Sequence, residues 1–235
     1  MKYLFFAGVA IVVVLQACSN EVYNNESYIR TSNLNGRKLA ILPVDVEFTG
    51  RLPKGYTLDN KKDTEDREST EIQNMVYREY LFRAKNGRKK QQSVEVMNIE
   101  QVNSKLRSKG IDPRESWNIS PDSLGKLVGA DMVMRVRVKK DRIMSNAASI
   151  GVGVATTVLE NIFSRGGSSG TSTNVGTGGK TYNIYFDATL SDVKSGTVIS
   201  KISKNGDASW NHSPEDVIRN SSGKMVRKGA VHAQY

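Results

Sequence analysis

The pattern of apolar and polar positions predicts alternating strands and helices in the first half of the chain. Residues 38–46 carry apolar side chains at both parities, which predicts a strand buried on both faces, with a bulge or strand end near Pro43. Helical spacing of apolar residues predicts helices over 67–84 and 99–110, separated by a short strand at 93–97. The polar stretch 50–63 between the first strand and the first helix is predicted to be an exposed loop.

The most regular alternation in the chain follows a helix that is predicted to begin at Ser120-Pro121. Its apolar members share one parity: Met132, Met134, Val136 and Val138. Its cations share the other parity: Arg135, Arg137 and Lys139. This pattern predicts a strand with one face in the core and one in water. The row of cations is either a site for an acidic partner or a solvated face.

A second alternation starts at Thr181, turns at 192–196 and returns over 197–204, which predicts a β-hairpin. Ser213-Pro214 then predicts the start of a terminal helix that is expected to break at 220–223. The fold class expected from this order is α/β. The first half supplies an α/β unit, the second an antiparallel hairpin plus a C-terminal helix, and the helices pack on a mixed sheet.

Residues 143–180 interrupt this pattern and are predicted to be an insertion. Its first half, 147–163, is apolar with small residues, and its second half, 164–179, is rich in Gly, Ser and Thr. Gly151 and Gly153 are not followed by Gly-Lys-Ser/Thr, so they do not indicate a phosphate loop. A small apolar helix or hairpin and then a flexible loop are expected there.

The N-terminus has the organisation of an export signal. Met1-Lys2 is basic, the twelve residues 3–14 carry no charge, and Leu15-Gln16-Ala17-Cys18 follows. The apolar run is too short to span a bilayer, which takes about 20 residues. The last four residues resemble the lipobox of bacterial lipoproteins, which implies cleavage before Cys18 and acylation of its thiol. The domain organisation expected is a signal peptide at 1–17, a flexible tether at 18–37, rich in Asn and Ser, and one α/β domain at 38–235.

Composition excludes most catalytic chemistry. Cys18 is the only cysteine, and both histidines, His212 and His232, lie in the last 24 residues. The candidate carboxylate pairs, Asp63 with Glu65-Asp66 and Asp187 with Asp192, are in contexts typical of a loop, a helix start or a turn. No enzyme, metal site, cofactor or small-molecule substrate is therefore expected. The net charge of +10 would suit nucleic acid, but export argues against it and favours an acidic envelope component.

Three segments resemble one family of envelope proteins: residues 38–43, Leu127 to Asp131, and 188–196 with its Leu-x-Asp-x-x-x-Gly pattern. That family includes the curli-secretion lipoprotein CsgG, the synthase activator LpoB, the N-terminal domain of the Tol propeller protein and small lipoproteins of unknown role. The resemblance implies the fold more than any activity. It also implies that residues 129–131 make a tight entry into a strand and that Gly196 makes the hairpin turn.

The function expected is that of a non-enzymatic interaction or assembly protein of the bacterial envelope. The chain is expected to be held by lipid on the periplasmic side of the outer membrane. It would bind an envelope protein or further copies of itself, with Arg135, Arg137 and Lys139 as candidate contacts. The alternative is a subunit of a secretion pore of the curli-transporter type, which would need lipid-facing strands from the 143–180 insertion.

Overall fold

An eight-stranded mixed sheet runs through the part of the chain that the computed structural model describes, which is residues 22–51, 57–83, 91–143, 180–209 and 212–234. The strands are β1 (Val22–Asn24), β2 (Lys38–Ile41), β3 (Asp45–Gly50), β4 (Gln92–Val96), β5 (Met132–Arg142), β6 (Tyr182–Asp192), β7 (Val198–Ala208) and β8 (Val231–Ala233). The helices are α1 (Glu26–Thr31), α2 (Leu58–Phe82), α3 (Ile99–Arg107), α4 (Pro113–Ser116), α5 (Pro121–Val128) and α6 (Pro214–Lys228).

The strand order is β1-β7-β6-β5-β2-β4-β8, with β3 paired to the second half of β5. Strands β2, β3 and β4 join their neighbours in parallel, whereas β5, β6, β7 and β1 form an antiparallel series. The α/β first half, the antiparallel hairpin and the C-terminal helix are therefore all present, which confirms the fold class. We call the sheet end at Arg142, Tyr182 and Ala208 the upper end, and the end at Met132, Asp192 and Val198 the lower end.

The interruption expected near Pro43 separates β2 from β3. Ile41 lies opposite Met134 and Asp45 opposite Arg137. The three residues between Ile41 and Asp45 therefore face only two residues of β5. Proline has no N–H to give to the ladder, and a one-residue bulge at this point lets β3 resume pairing along β5.

Helices cover the two faces of the sheet unequally. α2 and α6 pack on the face that carries Met134 and Val138, which are both fully buried. On the other face, α3 and α5 cover only the lower part of the sheet, where Ala40 and Val133 lie in a second, smaller core. Gly125 of α5 makes this contact possible, because a Cβ there would lie 2.3 Å from Val193 and 2.8 Å from Val133.

The two structural motifs expected from the family resemblance are present. Gly129 has φ +73° and ends α5 in the left-handed conformation, and Asp131 accepts a 2.8 Å hydrogen bond from the amide of Lys38. Gly196, with φ +68°, closes the β6–β7 turn. Within that turn, Asp192 accepts hydrogen bonds from the amide and hydroxyl of Ser195.

Two boundaries of the predicted helices are wrong. α2 begins at Leu58 rather than at residue 67, because Thr57 and Asn60 form a capping box. Its first turns, up to Thr64, contain no buried residue, so they lack the apolar stripe that predicts a helix. α6 does not break at 220–223. Ser221, Ser222 and Gly223 are buried there, and their small side chains let α2 approach closely.

The flexible tether predicted for 18–37 is also wrong from Val22 onward. Val22 pairs with Ile202 in β7, and Leu34 is fully buried. The side chain of Gln92 holds this segment by accepting from the amide of Leu34 and donating to the carbonyls of Ile29 and Ser32, at 2.6–3.1 Å. Asn25 caps α1, its side chain accepting from the amide of Tyr28. In the sequence, three residues lie between Cys18 and the start of β1.

A buried ion cluster joins β5 to α2 and α6, the two helices that pack on the larger core. Lys140, 3% exposed, lies 2.6 Å from Glu68 of α2 and 3.1 Å from Glu215 of α6, with its ammonium 5.4 Å from the centre of the Phe48 ring. Burial raises the pKa of the Glu68 carboxyl despite the nearby cation. Burial acts in the same sense on Glu215, but Lys140 and hydrogen bonds outweigh it and lower the pKa of that carboxyl.

Candidate functional site

A polar surface lies on the part of the sheet's second face that no described helix covers. We call it the open face. α4 and α5 cover this face only as far as Arg135. From Arg135 towards the upper end, side chains of β3, β5, β6, β7 and β1 on this face point outward. The open face consists of Tyr23, Asp45, Glu47, Arg137, Lys139, Tyr185, Asp187, Thr189, Lys201, Ser203 and Asn205.

The register of the strands arranges these side chains in rows across the sheet. One row contains Asp45, Arg137, Asp187 and Ser203 in neighbouring positions on four strands. The next row towards the upper end contains Glu47, Lys139, Tyr185 and Asn205. A third row, below the first, ends on Thr189, Lys201 and Tyr23. Side chains directly opposite on neighbouring strands contact one another, so the face is a continuous set of polar and charged groups.

The structure separates the three cations of the predicted row. Arg135 is half-buried, and its guanidinium donates to the backbone carbonyls of Ser116, Trp117 and Ile119 at 2.5–3.0 Å. Burial lowers the pKa of this guanidinium. Arg135 therefore holds the end of α4 onto the sheet and offers no free charge to a partner.

Arg137 and Lys139 do lie on the open face, but carboxylates flank them. Arg137 is paired with Asp45 of β3, and Asp187 of β6 lies opposite it on the other side. Lys139 lies between Glu47 and Tyr185. The cations of β5 are therefore balanced by acids on neighbouring strands, and the surface is mixed in charge rather than basic.

Two tyrosines give this polar face apolar area. Tyr185 is 37% exposed near its centre, and Tyr23 is 54% exposed on the edge strand β1. Tyrosine combines a large ring with a hydroxyl group and is enriched in protein interfaces. Sequence reasoning missed both residues, although the polar parity of β6 placed Tyr185 among outward-facing residues.

Three of the carboxylates considered for acid–base chemistry have structural contacts: Glu65, Asp66 and Asp192. Glu65 is buried and accepts a 2.9 Å hydrogen bond from the amide of Phe48, which caps the outer edge of β3. Glu65 and Asp66 also bind Arg114, at 3.0 and 2.9 Å. Asp187 faces the open side of the sheet, whereas Asp192 is buried in the turn, where it pairs with Arg37. The members of the second pair therefore do not meet.

The histidines lie at opposite ends of α6. His212 forms an isolated bridge with Ser209 before the helix, and His232 lies in β8 after it. Among the residues that the structure describes, no group of three or more His, Cys, Asp or Glu side chains is placed to hold a metal ion. Within the same ranges, none of the helices is long and apolar enough to cross a bilayer.

A hollow of about 310 Å³ lies at the opposite sheet edge, between β4, β8 and the end of α2. It is lined by Leu81, Glu95, Val96, Ala233 and Gln234. Among these described lining residues, Glu95 alone has an ionisable side chain.

No protein-family model matches the sequence, and no curated protein matches it. The chain resembles solved structures of bacterial proteins. Against lipoprotein GNA1162 from Neisseria meningitidis the identity is 11%, with 77% of this chain and 90% of that chain covered and a TM-score of 0.36. The LpoB C-terminal domain from Salmonella enterica is 13% identical, with 79% of this chain and 96% of that chain covered and a TM-score of 0.32. The PelC dodecamer from Paraburkholderia phytofirmans is 12% identical, with 86% of this chain and 93% of that chain covered and a TM-score of 0.38.

These likenesses include the LpoB resemblance expected from the sequence motifs, and the protein from Neisseria meningitidis is itself a lipoprotein. At such identities and TM-scores they carry no argument about function and assign the chain to no family. The resemblances to CsgG and to the Tol propeller protein stay predictions. Cys18 and almost all of the 143–180 insertion lie outside the described residues, and the pore alternative, which depends on that insertion, also stays a prediction.

Proposed function

We propose that this chain is a lipid-anchored, non-enzymatic interaction protein of the bacterial envelope that binds a protein through its open face. The observation that carries the proposal is the open face itself. It is a broad, mixed-charge surface on the sheet with two exposed tyrosines, and the hollow beside Glu95 lies at another edge of the sheet. Such a surface suits contact with another folded protein better than capture of a small molecule, which requires a concave site.

The lipid attachment rests on the lipobox-like residues 15–18. Three described features agree with a role by contact rather than by chemistry. Glu65, Asp66 and Asp192 hold arginines and a backbone amide. The histidines lie at opposite ends of α6, and Arg135 stabilises α4. The site proposed for the periplasmic partner, or for a second copy of the chain, is therefore the open face with Arg137, Lys139 and Tyr185.

Changing Cys18 to serine is expected to abolish both acylation and membrane retention. Only the thiol of residue 18 can form the thioether on which a lipoprotein is held, and the chain has no other cysteine. Growth with a labelled fatty acid, followed by membrane fractionation, measures both effects. Ser19→Ala is the neighbouring control and should keep label and retention. Equal labelling of Cys18→Ser and the wild type would contradict the proposal.

Changing Tyr185 to alanine is expected to weaken partner capture by about tenfold or more, since a central tyrosine in an interface typically contributes about 2 kcal/mol. Arg137→Ser with Lys139→Ser should have a smaller effect, because neighbouring carboxylates already balance these charges. Lys109→Ser with Lys194→Ser is the matched control: it removes the same charge from exposed positions off the face.

A photo-crosslinking residue at position 185 in growing cells identifies what the open face contacts. We expect one discrete adduct, whose mass distinguishes an envelope protein from a second copy of this chain. The same crosslinker at Lys109 should give no such adduct. The same adduct at both positions, or none at position 185, would show that the open face is only solvated.

A further inference from the structure

We propose that the C-terminal ends of α2 and α6 form a surface that binds the headgroup layer of an anionic bilayer. We call this surface the helix-end patch. It consists of Arg78, Leu81, Phe82, Arg83, Arg227 and Lys228. The inference goes beyond the proposed function, because it concerns a different surface from the open face and does not require the lipid on Cys18.

The two helices end side by side because they run in the same direction. Glu68 of α2 and Glu215 of α6 both reach Lys140, which lies beside the first half of each helix. Further along, a Cβ on Gly223 of α6 would lie 2.9 Å from the carboxylate of Glu79 in α2. The last turns of α2 and α6 are therefore neighbours on the same side of the sheet.

Charge is unevenly distributed along these two helices. α2 has seven acidic residues, and six of them precede residue 72. Both acidic residues of α6 lie in its first turn, and its remaining charged residues are all cations. The helix-end patch holds four cations, with Glu79 the one carboxylate in the last eleven residues of α2. An anionic surface therefore attracts this end of the helix pair and repels the other end.

Two of the cations converge between the helices. Arg83 donates to Glu79 at 2.8 Å, and a Cβ on Gly223 would lie 3.0 Å from Nη2 of Arg83 and 3.4 Å from Nη1 of Arg227. Arg227 and Lys228 are exposed and form no ion pair with a carboxylate that the structure describes. Guanidinium groups bind phosphate oxygens in a forked geometry, and phosphate is the anionic group of phospholipid headgroups.

The apolar residues of the patch distinguish it from an ordinary solvated helix end. Cations near a helix C-terminus balance the helix dipole, so their presence alone indicates no ligand. Phe82, however, is 72% exposed and Leu81 is 45% exposed, and the guanidinium of Arg78 lies 5.9 Å from the centre of the Phe82 ring. Large apolar side chains beside cations are typical of surfaces that lie in the headgroup layer of a bilayer.

The exposure of Phe82 favours a bilayer over an acidic protein as the occupant. A folded protein covers a protruding ring only where it has a matching pocket, whereas a fluid headgroup layer accepts the ring without one. The hollow on the other side of Leu81 is lined by Glu95, so it does not extend the basic surface. Charge complementarity and the exposed ring therefore both indicate an anionic lipid surface.

The test uses the chain from residue 18 onward with Cys18→Ser, so that no acyl group holds the protein on the vesicles. Sedimentation with vesicles of phosphatidylglycerol and phosphatidylcholine is compared with sedimentation with vesicles of phosphatidylcholine alone. We expect binding to the anionic vesicles that weakens strongly from low to high salt, and no binding to the neutral vesicles.

Removing two charges from the patch should weaken this binding strongly. Arg227→Ser with Lys228→Ser is expected to lower the partition coefficient about twentyfold, since each cation close to an anionic surface contributes about fivefold. Lys109→Ser with Lys126→Ser is the matched control. It removes the same charge from exposed positions after α3 and in α5, on the other side of the sheet, and should leave the partition coefficient unchanged.

Removing the exposed ring tests the apolar part of the patch. Phe82→Ser is expected to lower the partition coefficient about tenfold, because an inserted phenylalanine side chain leaves water. Leu58→Ser is the control: it removes an 80% exposed apolar side chain from the start of the same helix, about 36 Å from Phe82. Thermal unfolding of each variant shows that it is folded.

The outcomes separate this inference from the proposed function. Absence of binding to the anionic vesicles overturns it, and so does equal binding by Arg227→Ser with Lys228→Ser and its control. A discrete protein adduct from a photo-crosslinker at position 82 in growing cells, without vesicle binding, would assign the patch to an acidic protein instead. None of these results changes the outcome of crosslinking at position 185 or of acylation at Cys18, which test the proposed function.

Discussion

Replacing Lys140 with methionine is expected to lower the free energy of unfolding by about 3–5 kcal/mol, the usual cost of leaving a buried charge without its partner. Lys140 is 3% exposed and faces Glu68 and Glu215. Without the ammonium, two carboxylates from α2 and α6 remain next to each other at the edge of the core. Denaturant unfolding at neutral pH measures the loss.

The deficit should depend on pH in a defined direction. Burial already raises the pKa of Glu68 in the folded protein, and loss of Lys140 removes the cation that opposes this. An acid whose folded pKa lies above its unfolded value costs stability when it is ionised and costs nothing once both states are protonated. The deficit of Lys140→Met should therefore be largest at neutral pH and shrink below about pH 4, near the pKa of an unfolded glutamate.

A double variant provides the control for this prediction. Lys140→Met with Glu68→Leu removes both buried charges, and Glu215 is more than half exposed and can turn to water. This variant should be more stable than Lys140→Met alone, because a buried ion pair replaced by apolar groups is often neutral in free energy. If both variants lose the same stability at every pH, the effect comes from packing and not from charge.

Replacing Arg135 with serine is expected to cost about 2–4 kcal/mol of stability, because it leaves three backbone carbonyls without their donor. These carbonyls belong to Ser116, Trp117 and Ile119. The loss would weaken the attachment of α4 and the segment that follows it to the sheet. Arg135→Lys should recover only part of the stability, since one ammonium cannot present the planar fork of donors.

Arg137→Ser is the matched control for Arg135→Ser, because it makes the same substitution two residues further on the same face of β5. Its side chain is 63% exposed, so its ion pair with Asp45 should contribute less than about 1 kcal/mol. Thermal unfolding of the two variants side by side tests the difference. If both change stability equally, Arg135 is not the structural residue that its three hydrogen bonds indicate.

Local patterns in the sequence determined much of the fold. The parity of β5 from Met132 to Val138, the Ser120-Pro121 helix start and the β6–β7 hairpin all depend on neighbours within a few residues, and all are present. The two-sided burial of β2 and the interruption at Pro43 follow from the same local chemistry.

The boundaries that failed depend on distant contacts. α6 continues through Ser221, Ser222 and Gly223 because α2 packs against them. The sequence of α6 alone does not indicate that α2 lies there. Val22 and Leu34 join the domain because β7 and Gln92 supply partners that are distant in the chain, Gln92 being 58 residues from Leu34. A polar, Asn-rich composition indicates a tether only where no such partner exists.

The candidate site shows the same division most clearly. The sequence alone determined that Arg135, Arg137 and Lys139 share one face of a strand, because side chains alternate along β structure. Only the tertiary structure decided that α4 takes up Arg135, and that Asp45, Glu47 and Asp187 stand beside the other two. Strand pairing sets those neighbours, and it places Asp45 beside Arg137, 92 residues further along the chain. A stripe of charge along one strand therefore becomes a balanced surface once the sheet has formed.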